Sequence, residues 1–335
     1  MRFFLLLLSL FFVGCYVNQA HAWSCSTVTL VTTMSPPAIV IQRDLPVGSL
    51  IGSQVSSSVV NTFSCSNSPP PALTYQSQGI KGIGNYVTTI GGRRIFSTNI
   101  PGIGYAVGGS TLNSCNFTAW VDGTNTGDGY ANNRLVCNIS GVFNGPMQQQ
   151  ALLQFYKTGP TGSGTVSATQ VASFILYNNQ NEWWIPEAPV RINAFNVTTL
   201  ACSVSNTNIV VNMGNVDKRA FNGTGTNPAD SYTRSFTLPL NCNAGTRVNV
   251  RVDGNAQNAS QGVLNLTAAA NAATGVGVQL LYNNAPLQLG AIIVTGTAAS
   301  AGSYNIPLRA RYYQTASTIK AGVANSSANF TLTYQ

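Results

Sequence analysis

Hydrophobic and polar residues alternate in short runs along the chain, and the clearest run lies in residues 328–335. Its apolar positions are Phe330, Leu332 and Tyr334, and polar residues stand between them. Alternation with a period of two is typical of a strand with one buried face. No later segment can pair with the free side of this strand. We therefore expect an edge strand that is covered by a strand from elsewhere in the chain or from another chain.

Similar runs, separated by turns rich in Gly, Pro, Ser and Asn, fill residues 23–335, and no amphipathic helix is apparent. Predicted strands in the first half are 28–31, 38–41, 55–63, 94–98, 119–121, 134–139, 151–156 and 171–177. Those in the second half are 197–204, 209–211, 235–242, 246–252, 263–266, 276–282, 292–295, 303–313 and 330–334. Many short strands with turns between them predict an all-β protein.

The length of 335 residues fits two domains at roughly 100–200 residues each. We predict β-sandwich domains over residues 23–187 and 196–335, the second immunoglobulin-like. Residues 188–195 include Pro189 and show no clear alternation, so they are predicted to be a linker.

Residues 1–22 have the organisation of an export signal. Arg2 precedes the apolar run 3–13, and Ala20-His21-Ala22 forms a small-x-small cleavage site before Trp23. The apolar run is too short to span a membrane. One alternative stays open, because Val13-Gly14-Cys15 is close to a lipoprotein site, although Phe12 stands where Leu is usual.

Cleavage after Ala22 removes Cys15 and leaves an even number of cysteines, which in an exported protein predicts disulfides. Six cysteines allow 15 connectivities. Sequence order favours the pairs Cys25–Cys65, Cys115–Cys137 and Cys202–Cys242.

Cleavage also removes His21, the only histidine. The mature chain then lacks a Ser–His or Cys–His pair and an imidazole metal ligand. Acidic residues number only eight. An exported hydrolase is therefore disfavoured, and we predict no catalytic residue, cofactor or metal.

With catalysis disfavoured, the charged and aromatic residues are considered as binding residues. The net charge is +8, but the basic residues are scattered, which argues against nucleic acid as a partner. The loop from Asp122 to Asp128 lacks the alternating acids of a calcium loop and is interpreted as a polar turn. Trp183 and Trp184 are candidates for stacking on a sugar, and core packing is the favoured alternative.

Several stretches of the second half form a recognisable set: Gly275 to Leu280, Asn284 to Leu287, Tyr304 to Gln314, Asn329 to Gln335 and the spacing of Cys202 and Cys242. Together they resemble the pilin domain of chaperone–usher fimbriae. The resemblance implies an incomplete domain that lacks its last strand. A periplasmic chaperone would supply that strand during export. At the outer-membrane usher, the N-terminal arm of the next fimbrial subunit would then replace it. Phe330, Leu332 and Tyr334 would lie on or beside the receiving groove.

The first half is similar to type 3 fimbrial tip adhesins, which we base on residues 44–49, 97–104 and 161–165, with 212–219 in support. The resemblance implies a receptor-binding domain whose ligand is a host glycan or a collagen-like matrix protein. Loops at one end of a sandwich often bind ligands, so Val47, Ser49 and Tyr105 are candidate contacts.

The mature chain would begin at Trp23, almost without residues before the first domain. We therefore expect it to receive a strand without donating one, which is the position of a tip subunit. The expected function is a tip adhesin that is exported through the periplasm and displayed at the bacterial cell surface. The alternative is a structural tip or initiator subunit without a receptor.

Overall fold

The computed structural model describes residues 23–67, 73–124, 129–143, 145–179 and 182–335. The predicted export signal and residues 125–128 of the predicted polar turn lie outside these ranges. The described chain consists of strands with two 3-10 turns, Lys218–Ala220 and Asp230–Tyr232, and contains no α-helix. The prediction of an all-β protein is confirmed. Within the described ranges, no helix is long and apolar enough to cross a membrane.

The strands are short, and most are bounded by turns. Up to residue 140 they are β1 (Ser24–Thr27), β2 (Thr32–Met34), β3 (Ile39–Gln42), β4 (Leu50–Ser56), β5 (Val60–Asn61), β6 (Phe63–Ser66), β7 (Tyr75–Gly82), β8 (Tyr86–Ile90), β9 (Arg93–Ser97), β10 (Ile103–Thr111), β11 (Thr118–Trp120) and β12 (Asn133–Ser140). From there to residue 204 they are β13 (Gln148–Lys157), β14 (Gly164–Val166), β15 (Thr169–Asn178), β16 (Ala188–Ile192), β17 (Phe195–Leu200) and β18 (Cys202–Val204). The remaining strands are β19 (Arg234–Cys242), β20 (Arg247–Gly254), β21 (Ala256–Asn258), β22 (Val263–Leu264), β23 (Val276–Tyr282), β24 (Ala285–Pro286), β25 (Ile292–Thr297), β26 (Gly302–Gln314) and β27 (Ala328–Thr333).

The chain forms two compact units, neither of which is continuous in sequence. The first contains residues up to Ala38, Gly48–Gly159 and Thr165–Asn196. The second contains Ile39–Val47, Pro160–Gly164 and Val197–Gln335. Two segments from the predicted first domain therefore belong to the second unit.

The first unit is built mainly from two sheets. One has the order β4-β13-β10-β9-β8, with β5 and β11 added, and the other has the order β12-β7-β15-β16-β2. Strand β10 of one sheet lies against β7 of the other. Apolar side chains at alternate positions, including Phe96, Phe155 and Phe174, fill the core.

The second unit also has two main sheets. The larger has the order β18-β19-β26-β23-β22-β21, with β24 added, and the smaller has the order β25-β20-β27. Their apolar faces share one core, whose members include Leu240, Val250, Leu280 and Ile306. Strand β3 pairs with β17 in parallel, Ile39 opposite Val197.

The predicted linker differs from the structure. Ala188–Ile192 forms strand β16, which pairs with β15 and β2 in the first unit. The physical reason is burial, because Ala188, Val190 and Ile192 alternate into the core. The intervening Pro189 obscured this pattern in the sequence.

The six described cysteines are joined in sequential order, as Cys25–Cys65, Cys115–Cys137 and Cys202–Cys242. Strand pairing explains two of these bonds. Cys25 lies opposite Cys65 where β1 pairs with β6, and Cys202 lies opposite Cys242 where β18 pairs with β19. The disulfides therefore link strands that are already adjacent.

Candidate functional site: a groove beside the last strand

Strand β27 has one partner in the part of the chain that the structure describes. It pairs antiparallel with β20, with Leu332 opposite Val250 and Phe330 opposite Val252. Phe330 and Leu332 are half-buried against the core of the second unit. One edge of β27 thus keeps its backbone groups unpaired beside an apolar surface, the arrangement that the sequence pattern predicts.

An open groove of about 1600 Å³ runs beside this edge. Phe330, Leu332 and Tyr334 line it, together with residues 207–216. Side chains of the larger sheet complete the lining, and they include Leu238, Val278, Leu280, Leu308 and Ala310. The structure therefore brings the three predicted groove residues together on one surface, which carries both apolar and polar groups.

Residues 207–216 form a second extended segment along the groove. Ile209, Val211 and Met213 pack against the core, whereas Val210 between them is 85% exposed. The alternation is that of a strand, as the sequence predicts for 209–211. However, this segment belongs to no sheet among the described residues. The groove is therefore bordered by two extended segments with free backbone hydrogen-bonding groups.

Tyr334 closes the groove next to the end of β27. Its side chain is 1% exposed, and its hydroxyl donates a hydrogen bond to the carbonyl oxygen of Cys202 at 3.1 Å. Burial raises the pKa of Tyr334 above its ordinary value. The guanidinium of Arg43 stacks over the ring at 4.4 Å from the centroid. The last strand is thus joined to the start of β18 at this end.

The groove combines two properties that suit an extended polypeptide. Free strand edges offer backbone hydrogen bonds, and apolar positions between them accommodate alternate side chains. Its charged lining residues are Arg43, Lys218 and Lys320, with no carboxylate among the lining residues. This chemistry favours an apolar strand that is neutral or acidic.

The three candidate ligand contacts lie in different environments. Val47 is 65% exposed, in the turn after β3. Ser49 is half-buried, and its carbonyl oxygen accepts a hydrogen bond from the backbone of Lys157. Tyr105 is 3% exposed and belongs to the core.

The prediction for Tyr105 is therefore corrected. Its hydroxyl donates a 2.6 Å hydrogen bond to the carbonyl oxygen of Ile83, and its ring packs against Phe96. Burial raises the pKa of Tyr105 to about 12. The signal was present in the sequence, since Ile103, Tyr105 and Val107 alternate along β10 and all three are buried.

The tryptophan pair has a packing role in the first unit. The indole N–H of Trp184 donates to Thr27 Oγ1 at 3.0 Å, and its ring meets that of Trp23 edge-on. The ring of Trp183 lies 4.8 Å from that of Tyr177. Both side chains are half-buried, so these contacts show packing against neighbouring rings without burying either tryptophan fully.

Sequence reasoning missed two features around these sites. It did not place residues 39–47 in the second unit, because their partners lie far away along the chain. It also did not identify the exposed aromatic side chains of Phe117 and Tyr130 in the first unit. Hydropathy alone gave no signal for either feature, since both depend on tertiary pairing.

Comparisons with known proteins point to fimbriae. Residues 192–335 match the family described as fimbrial protein. The chain is 26% identical over 346 residues to a fimbria adhesin protein of Klebsiella pneumoniae, covering 98% of both chains. Both matches are described as fimbrial proteins, which supports the prediction of a non-enzymatic protein and implies a location in surface fimbriae.

Solved structures that resemble this chain share less sequence identity with it than the adhesin relative does. A tip adhesin of Pseudomonas aeruginosa is 17% identical with a TM-score of 0.37, covering 92% of this chain and 93% of that one. The receptor binding domain of a plasmid-born adhesin of Klebsiella pneumoniae is 20% identical with a TM-score of 0.35, covering 54% and 99%. These values are too low to establish a common fold. The family match and the adhesin relative nevertheless confirm the resemblance to fimbrial adhesins, and the family match is confined to residues 192–335.

Proposed function

We propose that this fimbrial adhesin acts at the fibre tip, where its second unit joins the fibre by accepting a β-strand. The observation that carries the proposal is the groove between β27 and residues 207–216. An inserted strand would complete both free edges with backbone hydrogen bonds. Its alternate side chains would cover Phe330 and Leu332, whose exposed surface is otherwise unfavourable in water.

Two partners would use the groove in succession. A periplasmic chaperone would occupy it during export, because an uncovered apolar strand edge promotes aggregation. At the outer-membrane usher, the N-terminal arm of the next fimbrial subunit would replace the chaperone strand. The lining favours a donor without basic residues at the positions that face Arg43, Lys218 and Lys320.

A charged substitution inside the groove tests this function. Leu332→Asp places a carboxylate where an incoming apolar side chain would pack, so we expect at least about a tenfold loss of the complex with the co-expressed chaperone. Surface display, measured with antibody on whole cells, should fall with it.

The matched control is Val294→Asp. Val294 is 64% exposed on β25 and is not among the groove-lining residues. This variant should form the chaperone complex at the wild-type level. Normal capture and display of Leu332→Asp would refute the strand-accepting function.

The first unit is proposed to bind a host ligand, a glycan or a collagen-like matrix protein. Ser49, which is half-buried, remains the candidate contact in this unit, whereas the other candidate, Val47, belongs to the second unit. Binding of the whole mature chain to an array of glycans and matrix proteins tests this part. Saturable binding to one class would identify the receptor class. If the folded chain binds nothing on the array, the alternative of a structural tip or initiator subunit is favoured.

A further inference from the structure

The end of the last strand is held by residues that lie near the start of the chain. The backbone N–H of Asp44 donates to the carbonyl oxygen of Tyr334 at 2.9 Å. In return, the backbone N–H of Tyr334 donates to Asp44 Oδ2 at 2.9 Å. Asp44 therefore satisfies both backbone groups of Tyr334, and the second bond is strengthened by the charge of the carboxylate.

Arg43 reinforces this arrangement from the side. Its guanidinium makes two 3.0 Å hydrogen bonds to the carboxylate of Asp44 and stacks over the ring of Tyr334. The hydrogen bond to Asp44 raises the pKa of Arg43, so the pair favours the charged form that arginine already has at physiological pH. Acid, cation and aromatic ring thus form one connected cluster at the end of β27.

The segment that carries this cluster is anchored in the second unit. Strand β3 pairs with β17, and the backbone N–H of Arg43 donates to Leu200. The side chain of Gln42 donates to the carbonyl oxygen of Gly245 and accepts from the backbone of Arg247. Residues 39–47 are therefore a fixed support for the last strand, although the family match begins at residue 192.

This support acts on a wall of the groove. Arg43, Cys202 and Tyr334 all line the groove, and Tyr334 directly follows the edge strand. Without the bonds from Asp44, the end of β27 would keep one side-chain hydrogen bond, from the Tyr334 hydroxyl to Cys202. Strand ends with few partners open readily, which would shift the free edge that an incoming strand must pair with.

We propose that Arg43 and Asp44 are positioning residues for strand insertion, which hold the end of β27 so that its free edge is presented in register. The proposal rests on the strand-accepting function of the groove. It assigns a role in fibre assembly to residues that precede the fimbrial region of the chain. The fimbrial region alone would then be an incomplete strand acceptor.

Amide hydrogen exchange in the mature full chain tests the support directly. In Asp44→Ala, the Tyr334 amide loses its acceptor, and its exchange should become about tenfold faster or more. Asp44→Asn keeps a side-chain oxygen and should give a smaller increase. If Asp44→Ala fails to fold, the exchange rate of the Tyr334 amide can still be measured in Asp44→Asn.

The matched control is Asp253→Ala on β20. Asp253 also pairs with a nearby arginine, Arg251, at 2.8 Å, but its side chain is exposed and does not line the groove. Exchange at Tyr334 should stay within about twofold of wild type in this control, because an exposed ion pair contributes little. Equal exchange rates in Asp44→Ala, Asp44→Asn and wild type would overturn the proposal.

Binding of a synthetic peptide of alternating valine and threonine, as long as β27, links the support to the groove. We expect Asp44→Ala to weaken this binding about tenfold and Asp253→Ala to leave it unchanged. Wild-type affinity in Asp44→Ala would refute the positioning role alone. A wild-type chain that binds no such peptide would refute the strand-accepting function, and the positioning role with it.

Discussion

Replacing Tyr105 by phenylalanine should make the first unit less stable at neutral pH and more stable at high pH. The tyrosine hydroxyl donates a buried 2.6 Å hydrogen bond to the carbonyl oxygen of Ile83. Loss of one such bond lowers the free energy of unfolding by about 1 kcal/mol. At pH 8, the variant should therefore be less stable than wild type by about this amount.

The order of stability reverses at alkaline pH because the tyrosine titrates. Burial disfavours the phenolate and raises the pKa of Tyr105 to about 12 in the folded state, against about 10 in an unfolded chain. Between these values the unfolded chain has lost a proton that the folded chain still holds. The free energy of unfolding therefore falls as pH rises through this window.

The size of the effect follows from the pKa difference. About 2 pKa units correspond to about 2.7 kcal/mol when the window is fully crossed, and to about 1.9 kcal/mol at a pH of about 11.5. Phenylalanine does not titrate. Near that pH the variant should exceed wild type by about 1 kcal/mol, since the lost hydrogen bond offsets part of the gain.

Tryptophan fluorescence makes the assay specific. Trp23, Trp120, Trp183 and Trp184 are all the tryptophans of the chain, and all lie in the first unit. Urea unfolding followed by this signal, at pH 8 and at about pH 11.5, reports the first unit alone. If the difference in free energy of unfolding between wild type and variant is the same at pH 8 and at about pH 11.5, the burial of a titrating tyrosine is refuted.

Two further predictions concern the second unit. Gly275 has φ +76°, and a side chain there would meet the carbonyl oxygen of Thr318. In thermal unfolding, Gly275→Ala should therefore lower the free energy of unfolding by more than about 2 kcal/mol. Gly162 has open space around it, so the control Gly162→Ala should change this free energy by less than about 1 kcal/mol. Cys202→Ser removes a disulfide worth about 2–5 kcal/mol, so the amount of chain in the periplasm, measured by immunoblot, should fall; unchanged amounts would show that this disulfide is dispensable.

Local pattern predicted many of the strands, and the last strand in particular, but it missed β7, β8 and β10 and predicted a strand at 28–31 where the structure has none. The alternation of Phe330, Leu332 and Tyr334 predicted a strand with one apolar face, and the structure shows β27 with a free edge beside a groove. Cysteine order likewise predicted the three pairs, because Cys25 and Cys202 lie in strands adjacent to those of their partners. In the first case the alternation of neighbouring residues is the signal, whereas in the second it is the order of cysteines that lie 40 residues apart in each strand-linked pair.

Features that depend on distant pairing could not be predicted in the same way. Nothing local in residues 39–47 shows that Asp44 meets Tyr334, since the two residues are 290 positions apart in the sequence. For Tyr105, sequence reasoning weighted the adjacent glycine-rich turn above the alternation of β10. In residues 188–192, a proline hid a buried strand whose partners are β15 and β2.

The parallel pairing of β3 with β17 has a consequence for mechanical integrity. Residues 39–47 are continuous with the first unit at both ends, through the peptides 38–39 and 47–48, while 197–335 joins it through the peptide 196–197. A single break between residues 196 and 197 would cut that last covalent link. The ladder between β3 and β17, the bonds of Gln42 and those of Asp44 would still retain the C-terminal fragment. After cleavage at this point, residues 197–335 would therefore stay attached to the rest of the chain by these non-covalent contacts.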